Sequence, residues 1–139
     1  MSDGRSSFLI RAASVLESAG ARGVTSPASL LARWESFVSE CANGYAWDYS
    51  EYLNELHTRD LLEALLADPV LHTYPEHEVL REQVELVDAQ FRALLDPRHR
   101  LPNDGPWWRT GVLASAGSDY AEYIRDAYAI PVVIAPEST

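Results

Sequence analysis

Five stretches of this sequence repeat their apolar residues at a helical period, and each is bounded by a capping side chain, a proline or a glycine. From Ser7 to Ala19, the residues Phe8, Leu9, Ala12, Val15, Leu16 and Ala19 fall within one stripe, and Gly20 stops it. Ser26-Pro27 opens a second stretch with Leu30, Leu31, Trp34, Phe37, Val38 and Cys41 on one face, closed by Asn43-Gly44. Asp48, with Glu51 three residues on, opens a third that runs to about Ala67, before Asp68-Pro69. The fourth starts at Thr73, carries Leu80, Val84, Val87, Phe91, Leu94 and Leu95 in one stripe, and ends at Asp96-Pro97. The fifth is capped by Ser118 or Asp119 and aligns Tyr120, Tyr123, Ile124, Ala127 and Tyr128. One-sided stripes at this period are buried by packing helix on helix. The expected fold is therefore all-α: a single compact bundle of about five helices, residues 1–139 forming one domain. Its apolar C-terminal tail, Ala129 to Ala135, is either extended or a single short strand. Pro97 to Gly117 is the one long irregular connection, with a short helix expected near Thr110 to Ser115.

The third stretch breaks its own pattern. Tyr49, Tyr52, Leu53 and Leu56 lie on one side, whereas Leu61, Leu62, Leu65 and Leu66 lie mostly on another. Either the helix bends near His57 to Asp60, or it is central and buried on both sides. Both readings make Glu55, Arg59 and Asp60 candidates for partly buried polar groups, and Glu55 stands four residues before Arg59, the favourable orientation for a helical ion pair.

Charge narrows the partners. The chain has 21 acids against 11 bases, every base an arginine, for a formal charge of -10. Residues 40–70 carry -6 of it and residues 71–96 carry -4. If the third and fourth helices are neighbours, that concentration makes one acidic wall, interleaved with Tyr45, Trp47, Tyr49, Tyr52 and Tyr74; otherwise it is a solvated acidic surface that keeps the protein soluble. Such a wall repels nucleic acid and steers a basic protein towards it. No apolar run reaches the ~18 residues of a membrane span, and the polar start Met1 to Arg5 lacks a signal-peptide layout. A cytoplasmic protein with no membrane partner is expected. The single Cys41 leaves no internal disulfide and no multi-cysteine zinc site.

The chain has no phosphate-cradling glycine loop, no nucleophile elbow and no zinc-protease pair. His72 and His77 flank a turn and read as surface histidines rather than metal ligands, and no cofactor is expected. Cys41 reads as a small core residue. Arg92 and His99 have the spacing of the Arg-x4-6-His signature and in that resemble HEPN-type ribonucleases. The likeness covers two residues, Ala93 stands where that family favours a polar side chain, and Asp96-Pro97 interrupts the helix. Trp107-Trp108-Arg109, in a Gly/Pro-rich loop, reads as one ring capping the core and one on the surface under Arg109, or else as a partner's anchor point.

Trp34-x-x-Phe37-Val38, Gly44-Tyr45, Asp48-Tyr49-x-x-Tyr52-x-Asn54-x-Leu56-x-x-Arg59-Asp60-Leu61, Val87-Asp88-x-x-Phe91-Arg92 and Trp107-Trp108-Arg109 form a pattern that resembles small bacterial all-α proteins of high-GC genomes. Some of these are similar to immunity proteins, which bind and silence a cognate toxin. The resemblance implies an acidic binding module of immunity or antitoxin type that occludes a basic partner, with no catalytic residue. Its expected contact residues are Asp48, Glu51, Tyr52, Glu55, Asp60, Trp107 and Trp108. The alternative is a small enzyme or ligand-binding domain, its pocket among Tyr49, Tyr52, Glu55, Arg59 and Trp108. A homodimer through an exposed aromatic face is a third reading.

Overall fold

Helix formation follows the stop signals closely. The computed structural model describes residues 4–21 and 25–136, so the polar start at Met1 to Asp3 lies outside the described residues. Among these, α1 spans Gly4–Ser18, α2 Pro27–Ala42, α3 Tyr49–Ala67 and α4 Pro75–Arg92, with a 3-10 turn at Leu71–Thr73 between the last two. Then come β1 (Leu95–Arg100), α5 (Trp107–Thr110), β2 (Gly111–Leu113), β3 (Ser115–Ala116), α6 (Ser118–Tyr128) and β4 (Val133–Ile134). The chain is mostly helical, but it has six α-helices rather than five, and two small sheets that the all-α expectation omits. The extra helix sits at Trp107–Thr110, not at Thr110 to Ser115, because Pro106 in extended backbone immediately precedes it. β1 pairs antiparallel with β2, and the register slips between Leu95 and Arg100, where Pro97 has no N–H to give. β3 pairs in parallel with β4, so the apolar tail ends as a short strand. No helix among the described residues is long and apolar enough to cross a membrane.

The chain divides into two compact units, with boundaries inside α2, α3 and α4. The first comprises Met1–Glu35 and His57–Val87, the second Ser36–Leu56 and Asp88–Thr139. This division accounts for the broken pattern of α3. The helix is continuous, but its first half contributes Tyr49, Tyr52 and Leu56 to the second unit, and its second half contributes Leu61, Leu62 and Leu65 to the first.

In the first unit, Phe8, Ala12 and Leu16 are the buried positions of the α1 stripe, while Leu9 is exposed and Ala19 lies beyond the helix. Phe8 meets Tyr74 edge-on at 6.0 Å. Arg11 makes a forked pair with Asp68, Nη2 to Oδ1 at 2.7 Å and Nε to Oδ2 at 3.0 Å. Asp68 also accepts the Leu71 N–H and so caps the 3-10 turn. The Arg11 hydrogen bond, followed by the backbone donors, holds the Asp68 carboxyl below its ordinary value. A depressed carboxylate adds stability that is in place above the unfolded value, about 3.9, and is lost as pH falls through the folded one. Acidification below about pH 4 is expected to destabilise Asp68→Asn less steeply than the wild type, as read from melting temperatures across pH. His77 is buried, against the surface reading. Its Nε2 donates to the Leu66 carbonyl at 2.9 Å, and its ring lies 3.9 Å from that of His72. No group of three or more His, Cys, Asp or Glu is placed to hold a metal among the described residues.

The second unit is built around aromatic rings. Phe37 packs within 6 Å of Tyr45, Tyr52 and Phe91, and Tyr52 meets Tyr120 at 4.8 Å. The Tyr120 hydroxyl accepts the Leu113 N–H at 3.0 Å in a fully buried position, which ties α6 to β2. Tyr120→Phe strands that N–H and is expected to cost about 1–3 kcal/mol in denaturant unfolding. Gly44, with φ of +89°, turns the chain off the end of α2, and a Cβ there would stand 2.7 Å from that of Ala135.

Candidate protein-binding face

The link between α2 and α3 positions the acidic residues. Asp48 accepts the Glu51 N–H at 2.8 Å and so caps α3, which fixes the direction of the helix's first turn. Glu51 is exposed on that turn, and Glu55 follows one turn later, half-buried. The Tyr45 hydroxyl donates to Glu55 Oε2 at 2.7 Å. Burial, opposed by that hydrogen bond and reinforced by the negative charges of Glu40 and Glu51, raises the Glu55 carboxyl above its ordinary value. Burial and then the bond to Glu55 raise the Tyr45 hydroxyl in turn. Three carboxylates, from the end of α2 and the start of α3, therefore share one neighbourhood and repel one another.

Trp47 stands beside them with 57% of its surface exposed. It borders a recess of about 390 Å³ that is also lined by Ser36, Ser39, Glu40 and Asn43. Neither Trp47 nor Glu40 was among the expected contact residues. The signal for Trp47 was its place in the short link, off the stripes of both neighbouring helices. Glu40 was legible only as part of the charge count.

The other expected contacts fare differently. Tyr52 and Trp108 are 2% and 6% exposed, so neither ring offers surface to a partner in this fold. The hydroxyl of Tyr52 is buried close to that of Tyr120 without closing a hydrogen bond of normal geometry, and burial raises its pKa. Tyr49 is buried as well. It stacks on the half-exposed ring of Tyr123 at 4.3 Å, and its hydroxyl is pushed up to about 12, chiefly by burial. The two tryptophans are perpendicular, 5.8 Å apart. The half-buried Trp107 is covered by Arg92, 4.0 Å from the ring centroid.

Asp60 and Arg59 belong to the first unit. Asp60 lies 3.8 Å from His57, and Arg59, 4% exposed, donates to Glu63 at 3.3 Å. Glu55 accepts from the Tyr45 hydroxyl, and Arg59 donates to Glu63. Arg92 and His99, the two residues of the nuclease-like spacing, also have separate engagements, on Trp107 and on Asp96. Cys41 is buried at the end of α2, and its thiol is pushed well up by desolvation and then by Glu55 and Glu40. That places it among inert core cysteines.

No protein-family profile, curated protein or solved structure matches the chain.

Because Glu55 has a raised carboxyl pKa in the folded state, its charge costs stability near neutral pH, and that cost disappears as pH falls through its folded value. Glu55→Gln keeps an acceptor for Tyr45 and removes the repulsion. The variant is expected to melt higher than the wild type at pH 7, with the advantage vanishing in acid.

Proposed function

We propose that this chain is a cytoplasmic, acidic protein-binding module of immunity or antitoxin type, which occludes a basic partner protein. The observation that carries this reading is the exposed Trp47 bordering one recess with Glu40, together with Glu51 and half-buried Glu55 one turn apart at the start of α3. Mutual repulsion and burial make this arrangement unfavourable in the free protein. A cation from a partner offsets the repulsion, so part of the stability given up in the free state is recovered on binding. Trp47 supplies an amphipathic anchor at the edge of the charged cluster. The contact set is therefore Glu40, Trp47, Asp48, Glu51 and Glu55. The buried Tyr52 and Trp108 serve as support.

The test is binding kinetics on a partner recovered from the source cell. Association is expected to slow as salt rises, since screening shortens the field to about 8 Å at physiological ionic strength. Reversing Glu51 and Glu55 to Lys should slow association more than it speeds dissociation, whereas Trp47→Ala should act mainly on dissociation. A partner without basic character, or binding indifferent to both salt and charge reversal, would discard the acidic-face reading.

A further inference from the structure

The acidic character of the chain reverses at one place in the second unit. Arg98, His99 and Arg100 are consecutive on β1, and they line one side of an open groove of about 680 Å³. The other side is formed by the end of α6 and the residues after it, including Asp126, Tyr128 and Ile130. That volume lies within the range of small-ligand sites.

A buried carboxylate organises the basic side. Asp96, its side chain 5% exposed, accepts three hydrogen bonds: from the Arg98 N–H at 2.9 Å, from Arg98 Nε at 3.3 Å and from His99 Nδ1 at 2.9 Å. These bonds, that of His99 first, hold the Asp96 carboxyl well below the carboxylate range. An ionised Asp96 has no proton to give, so Nδ1 of His99 carries the hydrogen and the ring orientation is set. Nε2 of His99 is left without a bond among the described residues. Arg98 uses only its backbone N–H and Nε on Asp96, and its side chain is 80% exposed, so the terminal nitrogens remain available. Arg100 is steadied by the bond from its Nη2 to Thr110 Oγ1 at 3.2 Å. The donors are thus held in place before any ligand arrives, which lowers the ordering cost of binding.

The opposite wall has its own signs of a site. Ala129 lines the groove with φ of 56°, the one non-glycine residue in the left-handed region among the described residues. It is the C-cap of α6, its N–H donating to the Arg125 carbonyl at 2.9 Å, and it sets the direction in which the chain leaves the helix along the groove. Tyr128 and Ile130 offer apolar surface, and Asp126 places an acceptor at the rim, its charge shared with Arg125 at 3.4 Å.

We infer that this groove binds a small phosphate monoester whose body carries hydroxyl groups. Arg98 and Arg100 take the phosphate, since guanidinium groups match phosphate oxygens in forked geometry, and Nε2 of His99 accepts from a hydroxyl of the body. The body lies along Tyr128 and Ile130, with a hydroxyl donating to Asp126. This site does not depend on the acidic face and stands or falls separately.

The test is an amide NMR titration of the full chain at low ionic strength with ribose 5-phosphate, inorganic phosphate, ribose and citrate. Ribose 5-phosphate should give saturable shifts at residues 98–100 and 128–130 and bind about tenfold tighter than inorganic phosphate, and ribose should give none. Arg98→Ala, which keeps the backbone bond and the His99 bond to Asp96, should weaken binding about tenfold or more. His99→Gln provides an independent second variant and should weaken it as well. Shifts that merely follow ionic strength, or equal binding by wild type and both variants, would overturn the site. Citrate or a short RNA binding more tightly than ribose 5-phosphate, or inorganic phosphate binding equally well, would overturn the ligand class.

Discussion

Phe91→Ala is expected to destabilise the protein by ~3–5 kcal/mol, the usual cost of deleting a fully buried phenyl ring. Phe91 has no exposed surface, lies near the end of α4 and contacts Phe37 at 5.8 Å and Trp107 at 6.1 Å. Its loss opens a cavity bordered by rings that are too rigid to collapse into it. It also removes the support on which Trp107 sits under Arg92. Denaturant unfolding should show a lower midpoint with an unchanged slope. A loss under about 1 kcal/mol would mean that the second unit repacks freely, which is a property of loosely packed cores. Phe91→Leu, which keeps most of the volume, should recover much of the stability.

Arg59→Ala is expected to cost a similar ~3–5 kcal/mol, for a different reason. The side chain is 4% exposed and donates to Glu63, whose own side chain is 46% exposed. A guanidinium is almost never buried unless paired, and removing it leaves its acceptors unsatisfied as well as an empty volume. Arg59→Lys tests which matters more. Lysine keeps the charge but lacks the planar fork, so a loss close to that of alanine would assign the stability to hydrogen-bond geometry. A loss near zero in both variants would remove Arg59 from any account of the core of the first unit.

The sequence announced its helices because each has both a stripe and a stop. Pro27, Gly44 and Pro75 act through backbone geometry alone, and the ends they predict fall within a few residues of those observed. α3 was legible as an anomaly but not as its cause. A face that shifts midway has several local explanations, and only the division of the chain at His57 selects among them. β1 was hidden because Asp96-Pro97 is a turn signal, and a two-stranded ribbon with an irregular register tolerates proline where a longer sheet would not. The acidic face was visible as charge. Which residues on it reach solvent was not, since burial of Tyr52 and exposure of Trp47 depend on how rings from distant segments share one core. The Asp96–His99 bond was missed for a simpler reason. A carboxylate and a histidine three residues apart on either side of Pro97 meet only in the irregular backbone of β1.

Neither unit is encoded by one continuous piece of chain, and this governs how the protein can be made. During synthesis, residues 36–56 emerge early but must wait for Asp88–Thr139 before their aromatic side chains find the rest of their partners, Phe91 and Tyr120 among them. The first unit is likewise incomplete until the residues up to Val87 have been released. Rings such as Phe37, Tyr45 and Tyr52 are therefore uncovered on the nascent polypeptide for most of translation. A stop codon anywhere before α6 yields a fragment with an exposed aromatic surface and no native unit to bury it, a substrate for chaperones and proteases rather than a smaller working protein.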